Sequence, residues 1–140
     1  MRNIVLILFC SLLIIYSCNE ADVNYGSLIS GKYIGIYTLT INDGNNSSVD
    51  TKDSITFYFT ESGYNYSAKD RFTPPGGAGS YIIDPKTITL TDTVGHVADS
   101  DATLILNGRF SYTRLGRRLT LFQYDTKYNR YYKLDLYKQQ

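Results

Sequence analysis

The chain has 140 residues, enough for one domain and too few for two of ordinary size. Hydrophobic residues make up 43% of it and aromatic residues 14%, so it can bury a core and need not be disordered. Its 14 basic and 13 acidic residues nearly balance. That balance argues against a polyanionic partner such as nucleic acid, because binding one requires a basic stripe.

The first 17 residues are typical of an export signal. Arg2 supplies a positive start, and residues 4–15 are apolar except for Ser11, a run shorter than a comfortable membrane span. The run ends in Ile15-Tyr16-Ser17-Cys18, which resembles the lipobox of bacterial lipoproteins. The resemblance implies cleavage after Ser17 and a lipid-modified Cys18 that ties the chain to a membrane.

Cys10 is the competing cysteine, but Phe9 precedes it, and signal peptidases require a small residue there. An uncleaved N-terminal anchor helix is the alternative to cleavage. Glu20 and Asp22 follow Cys18 closely, a pattern similar to the surface-export signal of Bacteroidetes lipoproteins. We therefore expect an outer-membrane location and leave open which face carries the protein.

Residues 18–30 are polar and lack periodicity, which predicts a tether behind the lipidated cysteine. Residues 31–140 then form a series of short alternating runs broken by turn residues, the pattern of an all-β domain. The predicted strands cover residues 32–41, 54–60, 64–68, 81–84, 87–91, 104–112, 119–124 and 131–137. Asn107-Gly108 interrupts the sixth run as a turn or a bulge, so eight or nine strands are expected.

Two longer stretches are predicted as loops, residues 70–80, which are rich in proline and glycine, and residues 94–101. Consecutive hairpins with no helical periodicity predict an antiparallel meander. Closing that meander into a barrel of about eight strands would remove the exposed edges. A sandwich of two sheets is the alternative.

The order of these runs resembles that of the lipocalin-like lipoproteins of Bacteroidetes, within the wider calycin barrel group. The resemblance rests on Gly31-Lys32-Tyr33, on residues 79–81 and 106–110, and on a tyrosine-rich closing strand. In that family a tryptophan occupies the position of Tyr33, and an arginine from near the end of the barrel packs on it. Arg130 is the nearest candidate for that arginine. The resemblance implies a ligand-binding barrel.

Catalytic and metal-binding patterns are weak in this chain. His96 is the single histidine and follows Gly95 in a predicted loop, where we expect a solvated side chain. Asp92, Asp99 and Asp101 lie near it in sequence, but they lack the spacing of a calcium loop. We therefore predict no enzyme activity, no cofactor and no metal site.

The tyrosines are the most informative feature, with 14 in the chain and no tryptophan. An eight-stranded barrel is just wide enough to be filled by side chains or to hold one small ligand. For the second case, a small apolar or amphipathic ligand, the alternation predicts an interior lined by Tyr33, Tyr37, Phe57, Phe59, Tyr66 and Tyr112. The alternative is a filled barrel that acts as a structural or protein-interaction module of the cell envelope, with loops 70–80 and 94–101 contacting a protein partner.

Overall fold

The computed structural model describes residues 29–42, 48–69, 74–96 and 102–140. They form eight strands: β1 (Gly31–Asn42), β2 (Ser48–Phe59), β3 (Gly63–Ala68), β4 (Gly77–Ile83), β5 (Thr87–Asp92), β6 (Gly108–Leu115), β7 (Arg118–Asp125) and β8 (Arg130–Lys138). A short 3-10 helix, Ala102–Leu104, precedes β6. The described residues are thus almost entirely β-structure, as the alternation of the sequence predicts.

Every strand pairs antiparallel with its neighbours in sequence, and the sheet closes on itself. The closing pair joins the first strand to the last, from Tyr33 opposite Lys138 to Ile41 opposite Arg130. This ladder leaves neither β1 nor β8 as a free edge, which is the physical advantage of closure. The prediction of a closed meander barrel is confirmed, and the sandwich alternative is wrong.

Side chains alternate between the barrel interior and the outer surface, as a pleated strand requires. In β1, Tyr33, Tyr37 and Leu39 are buried, whereas Ile34 and Ile36 face outward. The core draws on every strand of the barrel, so it forms one continuous cluster. Ile29 also belongs to this cluster, so packing begins two residues before β1.

The two ends of the barrel differ in their connections. The tight-turn end carries three short connections, residues 60–62, 84–86 and 116–117, together with the start of β1 and the end of β8. The loop end carries the connections 43–47, 69–76, 93–107 and 126–129. Because loops form binding surfaces more readily than tight turns, the loop end is where a site is expected.

Residues 77–80 belong to β4, and the prediction that the loop extends to Ser80 is wrong. Glycines in this stretch allow the backbones of neighbouring strands to approach each other closely. A Cβ on Gly79 would lie 1.9 Å from the carbonyl oxygen of Thr91 on the neighbouring strand. A glycine inside a strand pattern therefore marks a place where two backbones meet, as well as a place where strands end.

Two other strand boundaries also differ from the prediction. β2 begins at Ser48, six residues before the predicted start, because pairing with β1 extends through its polar half. Thr40 donates a hydrogen bond of 2.7 Å to Asp50 across this pair. β6 begins at Gly108, so Leu104 and Leu106 precede the strand and lie outside the barrel wall.

Candidate functional site

The six residues predicted to line the barrel lie on its inner side. Five of them are buried at 0–4% exposure, namely Tyr33, Tyr37, Phe57, Phe59 and Tyr66. Tyr112 is partly buried and packs against the same cluster. Whether any of them contacts a ligand stays a prediction.

Aromatic rings from β2 and β3 form a stacked layer along one inner wall. Phe57 lies at its centre, with ring centroids 5.1 Å from Phe59, 5.0 Å from Tyr66 and 6.1 Å from Tyr64. Tyr64 and Tyr66 stack in turn at 6.2 Å. The layer presents ring faces along its length and tyrosine hydroxyls towards the segment that precedes β6.

The middle of the barrel is packed. Tyr37, Phe57, Phe110 and Leu121 are all 0% exposed. A side chain lining an empty cavity would keep surface that a water molecule could touch, so no water-sized space adjoins these side chains. A ligand could therefore enter only by displacing protein residues at one end of the barrel.

The loop end is closed by residues 102–107, called here the plug segment. Leu106 is 1% exposed and joins the core although it lies outside the strands. Tyr66 Oη accepts a hydrogen bond from the Leu106 amide at 3.2 Å, and Tyr64 Oη donates one to the Leu106 carbonyl at 3.4 Å. The peptide backbone around Leu106 is thus held by two hydroxyls of the aromatic layer.

The other half of the plug segment is attached to β8. Tyr132 donates a hydrogen bond of 2.7 Å to the carbonyl of Thr103, and Arg130 donates to the Thr103 hydroxyl. The Asn107 side chain accepts a hydrogen bond of 3.2 Å from the amide of Asp92 on β5. The plug segment therefore spans the loop end from β8 to β3 and β5.

Asp92 is a carboxylate that faces the interior at this end. It continues the inward series of Ile88 and Leu90 in β5, and its side chain is 5% exposed. Oδ1 accepts a hydrogen bond of 2.8 Å from the Val94 amide and lies 3.1 Å from His96 Nε2. Oδ2 is buried and has no hydrogen-bond partner among the described residues.

Gly77 makes room for this carboxylate. A Cβ on Gly77 would lie 2.2 Å from Asp92 Oδ2 and 2.9 Å from Tyr66 Oη, so Oδ2 occupies the space that a side chain would fill. The carboxylate therefore lies between the β4 backbone and the aromatic layer.

The expectation of a solvated histidine is wrong, because the His96 side chain is 15% exposed and paired with Asp92. The predicted fifth strand stops one residue short, since Asp92 ends β5 and its side chain faces inward. The signal was available: residues 88, 90 and 92 share one parity in an alternating strand.

The hydroxyls of the aromatic layer are held neutral. Burial raises the pKa of Tyr66 to about 12 and raises the pKa of Tyr64 further above its usual range of about 10. The charge of Asp92 adds to the increase in the pKa of both tyrosines. The two tyrosines can donate hydrogen bonds throughout the physiological pH range.

The cation over Tyr33 is Lys138, and the assignment of Arg130 to that role is wrong. Lys138 Nζ lies 6.0 Å from the centroid of the Tyr33 ring at the tight-turn end. Arg130 lies at the loop end, beside the ring of Tyr128. Arg130 begins β8 and Lys138 ends it, so the two residues lie at opposite ends of the barrel. The position of Arg130 near the end of the sequence does not show at which end of the barrel it lies.

Several predicted features lie outside the described residues, among them Cys18, Asp99 and Asp101. Among the described residues, no helix combines the length and apolarity needed to cross a bilayer. In the same part of the chain, histidine, cysteine, aspartate and glutamate form no group of three or more that could hold a metal ion.

Comparison with protein-family models, with curated proteins and with solved structures found no match to this chain. The function is therefore argued from the barrel and its loop end alone.

Proposed function

We propose that this chain is a lipid-anchored barrel of the cell envelope that binds a small apolar or amphipathic ligand at its loop end. The observation that carries the proposal is the plug segment. The loop end is closed by a piece of loop held through tyrosine hydroxyls, whereas the rest of the core, apart from Ile29, belongs to the barrel wall.

Displacing the plug segment would uncover an amphipathic surface. Leu106 would leave an apolar space beside the aromatic layer, and the hydroxyls of Tyr64, Tyr66 and Tyr132 would lose their backbone partners. Ligand sites in proteins combine apolar walls with a few convergent polar groups in this way. A ligand with an apolar body and one polar group fits that description.

Native mass spectrometry of the full chain purified from cell envelopes tests the proposal. We expect an adduct of one small molecule per chain, and quenching of tyrosine fluorescence when apolar or amphipathic compounds are added to the emptied protein. A chain that carries no adduct and shows no fluorescence change across such a panel would contradict it.

The anchor is proposed from the lipobox resemblance at Cys18, and the outer membrane from Glu20 and Asp22 that follow. Intact-mass measurement should find a chain that begins at Cys18 and carries acyl chains. Cys18→Ser should lose the acyl mass and leave the outer-membrane fraction. A mature product that retains its first 17 residues without acyl mass would refute the anchor and leave the ligand proposal standing.

The second candidate is a filled barrel that acts as a structural or protein-interaction module of the envelope. The observation in its favour is the packed interior, where Tyr37, Phe57 and Leu121 leave no water-sized space. On this account the ligand panel produces no response, and crosslinkers placed in loops 70–76 and 94–101 trap one specific envelope protein. Deleting either loop should then abolish that adduct.

A further inference from the structure

The strongest unexplained feature of the loop end is the free oxygen of Asp92. An ionised carboxylate buried in an apolar interior is costly unless both oxygens are solvated or hydrogen bonded. Oδ1 is bonded to Val94 and His96, whereas buried Oδ2 has no hydrogen-bond partner among the described residues. An unsatisfied buried acceptor of this kind is typical of a site that binds a ligand with a hydrogen-bond donor.

One ring of the aromatic layer stands beside that oxygen. Gly77 brings Oδ2 against the edge of Tyr66, and Tyr64 stacks on Tyr66 with an angle of 11° between the planes. A buried carboxylate with an unpartnered oxygen suits an ammonium group, because that group supplies both the opposite charge and N–H donors. A ligand carboxylate would instead be repelled by Asp92.

Arg130, one of several described cations at the same end, is already engaged. Arg130 donates to the Thr103 hydroxyl, and its guanidinium lies 5.6 Å from the centroid of the Tyr128 ring. The plug segment also lies next to Asp92, through the hydrogen bond between the Asp92 amide and Asn107. Movement of the plug segment would therefore open the apolar space and the carboxylate together.

We propose that the loop end selects an amphipathic amine, whose ammonium group binds Asp92 Oδ2 while its apolar body replaces Leu106 against the aromatic layer. This inference rests on the proposed ligand-binding function and specifies the charge of its ligand. The hydroxyls of Tyr64 and Tyr66, released from the Leu106 backbone, remain available to the same polar group.

The test compares three compounds of equal chain length, hexylamine, hexanol and hexanoate, on the full chain held in lipid nanodiscs. The readout is the NMR shift of 13C-labelled tyrosine rings, with the signals of the aromatic layer assigned through Tyr66→Phe. This readout reports on the barrel interior and is insensitive to compound that dissolves in the lipid. We expect hexylamine to bind at least tenfold more tightly than hexanol at pH 7, and hexanoate more weakly than either.

Asp92→Asn keeps the shape of the side chain and removes its charge. We expect it to abolish the amine preference and to leave hexanol affinity within threefold of the original. Asp84→Asn is the matched control, because Asp84 is exposed at the tight-turn end and bonded to Thr87. It should change neither affinity.

The outcomes separate the two proposals. Equal binding of hexylamine and hexanol, or tighter binding of hexanoate, overturns the amine inference and leaves ligand binding intact. No shift with any of the three compounds removes the amine inference and counts against ligand binding itself. The comparison of the three compounds on the unaltered chain decides the matter even if Asp92→Asn fails to fold.

Discussion

The two ends of the barrel are closed in different ways. At the tight-turn end, Tyr33 and Tyr81 pack edge-on against Phe59, with centroids 5.7 and 5.5 Å apart, and Tyr81 donates a 2.7 Å hydrogen bond to the Thr60 carbonyl. At the loop end, closure depends on the plug segment, whose bonds come mainly from side-chain hydroxyls. Strand side chains cannot leave without breaking the sheet, whereas a loop segment can open locally. This difference is the reason why we propose that a ligand binds at the loop end.

The largest expected effect is at the tight-turn end. Tyr33→Ala should lower the free energy of unfolding by about 4 kcal/mol, because the ring is 1% exposed and its loss leaves a cavity that the strands cannot close. Urea denaturation measures this loss. Hexylamine selectivity should persist in the folded fraction. A loss below about 1 kcal/mol would show that this end is not held by wall packing.

Leu106→Ala should have a smaller effect on stability and the opposite effect on binding. We expect a loss of about 3 kcal/mol, together with tighter hexylamine binding because the ligand no longer competes with the leucine side chain. Leu119→Ala is the control, since Leu119 is equally buried at 1% exposure but belongs to β7. If Leu119→Ala binds hexylamine as tightly as Leu106→Ala does, any cavity in the core is enough to strengthen binding, and the plug segment has no special role.

Alkaline pH should weaken the folded state. Tyrosine titrates near pH 10 in the unfolded chain, whereas Tyr66 titrates at about pH 12 in the folded barrel. The unfolded state therefore releases its proton first, so the associated stability is complete below pH 10 and is lost as the pH rises through 12. Tyr66 alone should account for a loss of about 2 kcal/mol at pH 12.

Urea denaturation between pH 9 and 12 measures this decline, and absorbance at 295 nm follows tyrosine ionisation. Tyr66→Phe should remove its share of the pH dependence while keeping the ring. An unchanged slope in that variant would show that Tyr66 ionises as freely in the barrel as in the unfolded chain.

The smallest expected effect concerns one hydroxyl. Tyr132→Phe removes the hydrogen bond to the Thr103 carbonyl and should lower stability by about 1 kcal/mol. Amide hydrogen exchange in residues 102–107 should accelerate more than exchange in the strands, because the plug segment loses an attachment. Tyr137→Phe is the control, since Tyr137 is 49% exposed on the outer surface. Equal exchange in both variants would show that this bond does not hold the plug segment.

Alternation along the chain predicted most of the fold and part of the site. It placed Tyr33, Tyr37 and Phe57 on the inner side, because residues two apart in a strand face the same way. It missed Asp92, because the predicted strand ended at residue 91 and the structure extends it by one inward-facing residue. It also missed the role of Gly77. The absence of a side chain there matters because Asp92 Oδ2 occupies the space that a Cβ would fill.

Local pattern by itself determined the β class, the order of the hairpins and the inward face of the strands that carry the six predicted lining residues, because these depend on neighbours within the same run. Only the tertiary structure decided what closes each end. The plug segment and the place of Arg130 join residues from separate strands or loops. Such contacts depend on the register of the closed sheet, and no short stretch of sequence carries that information.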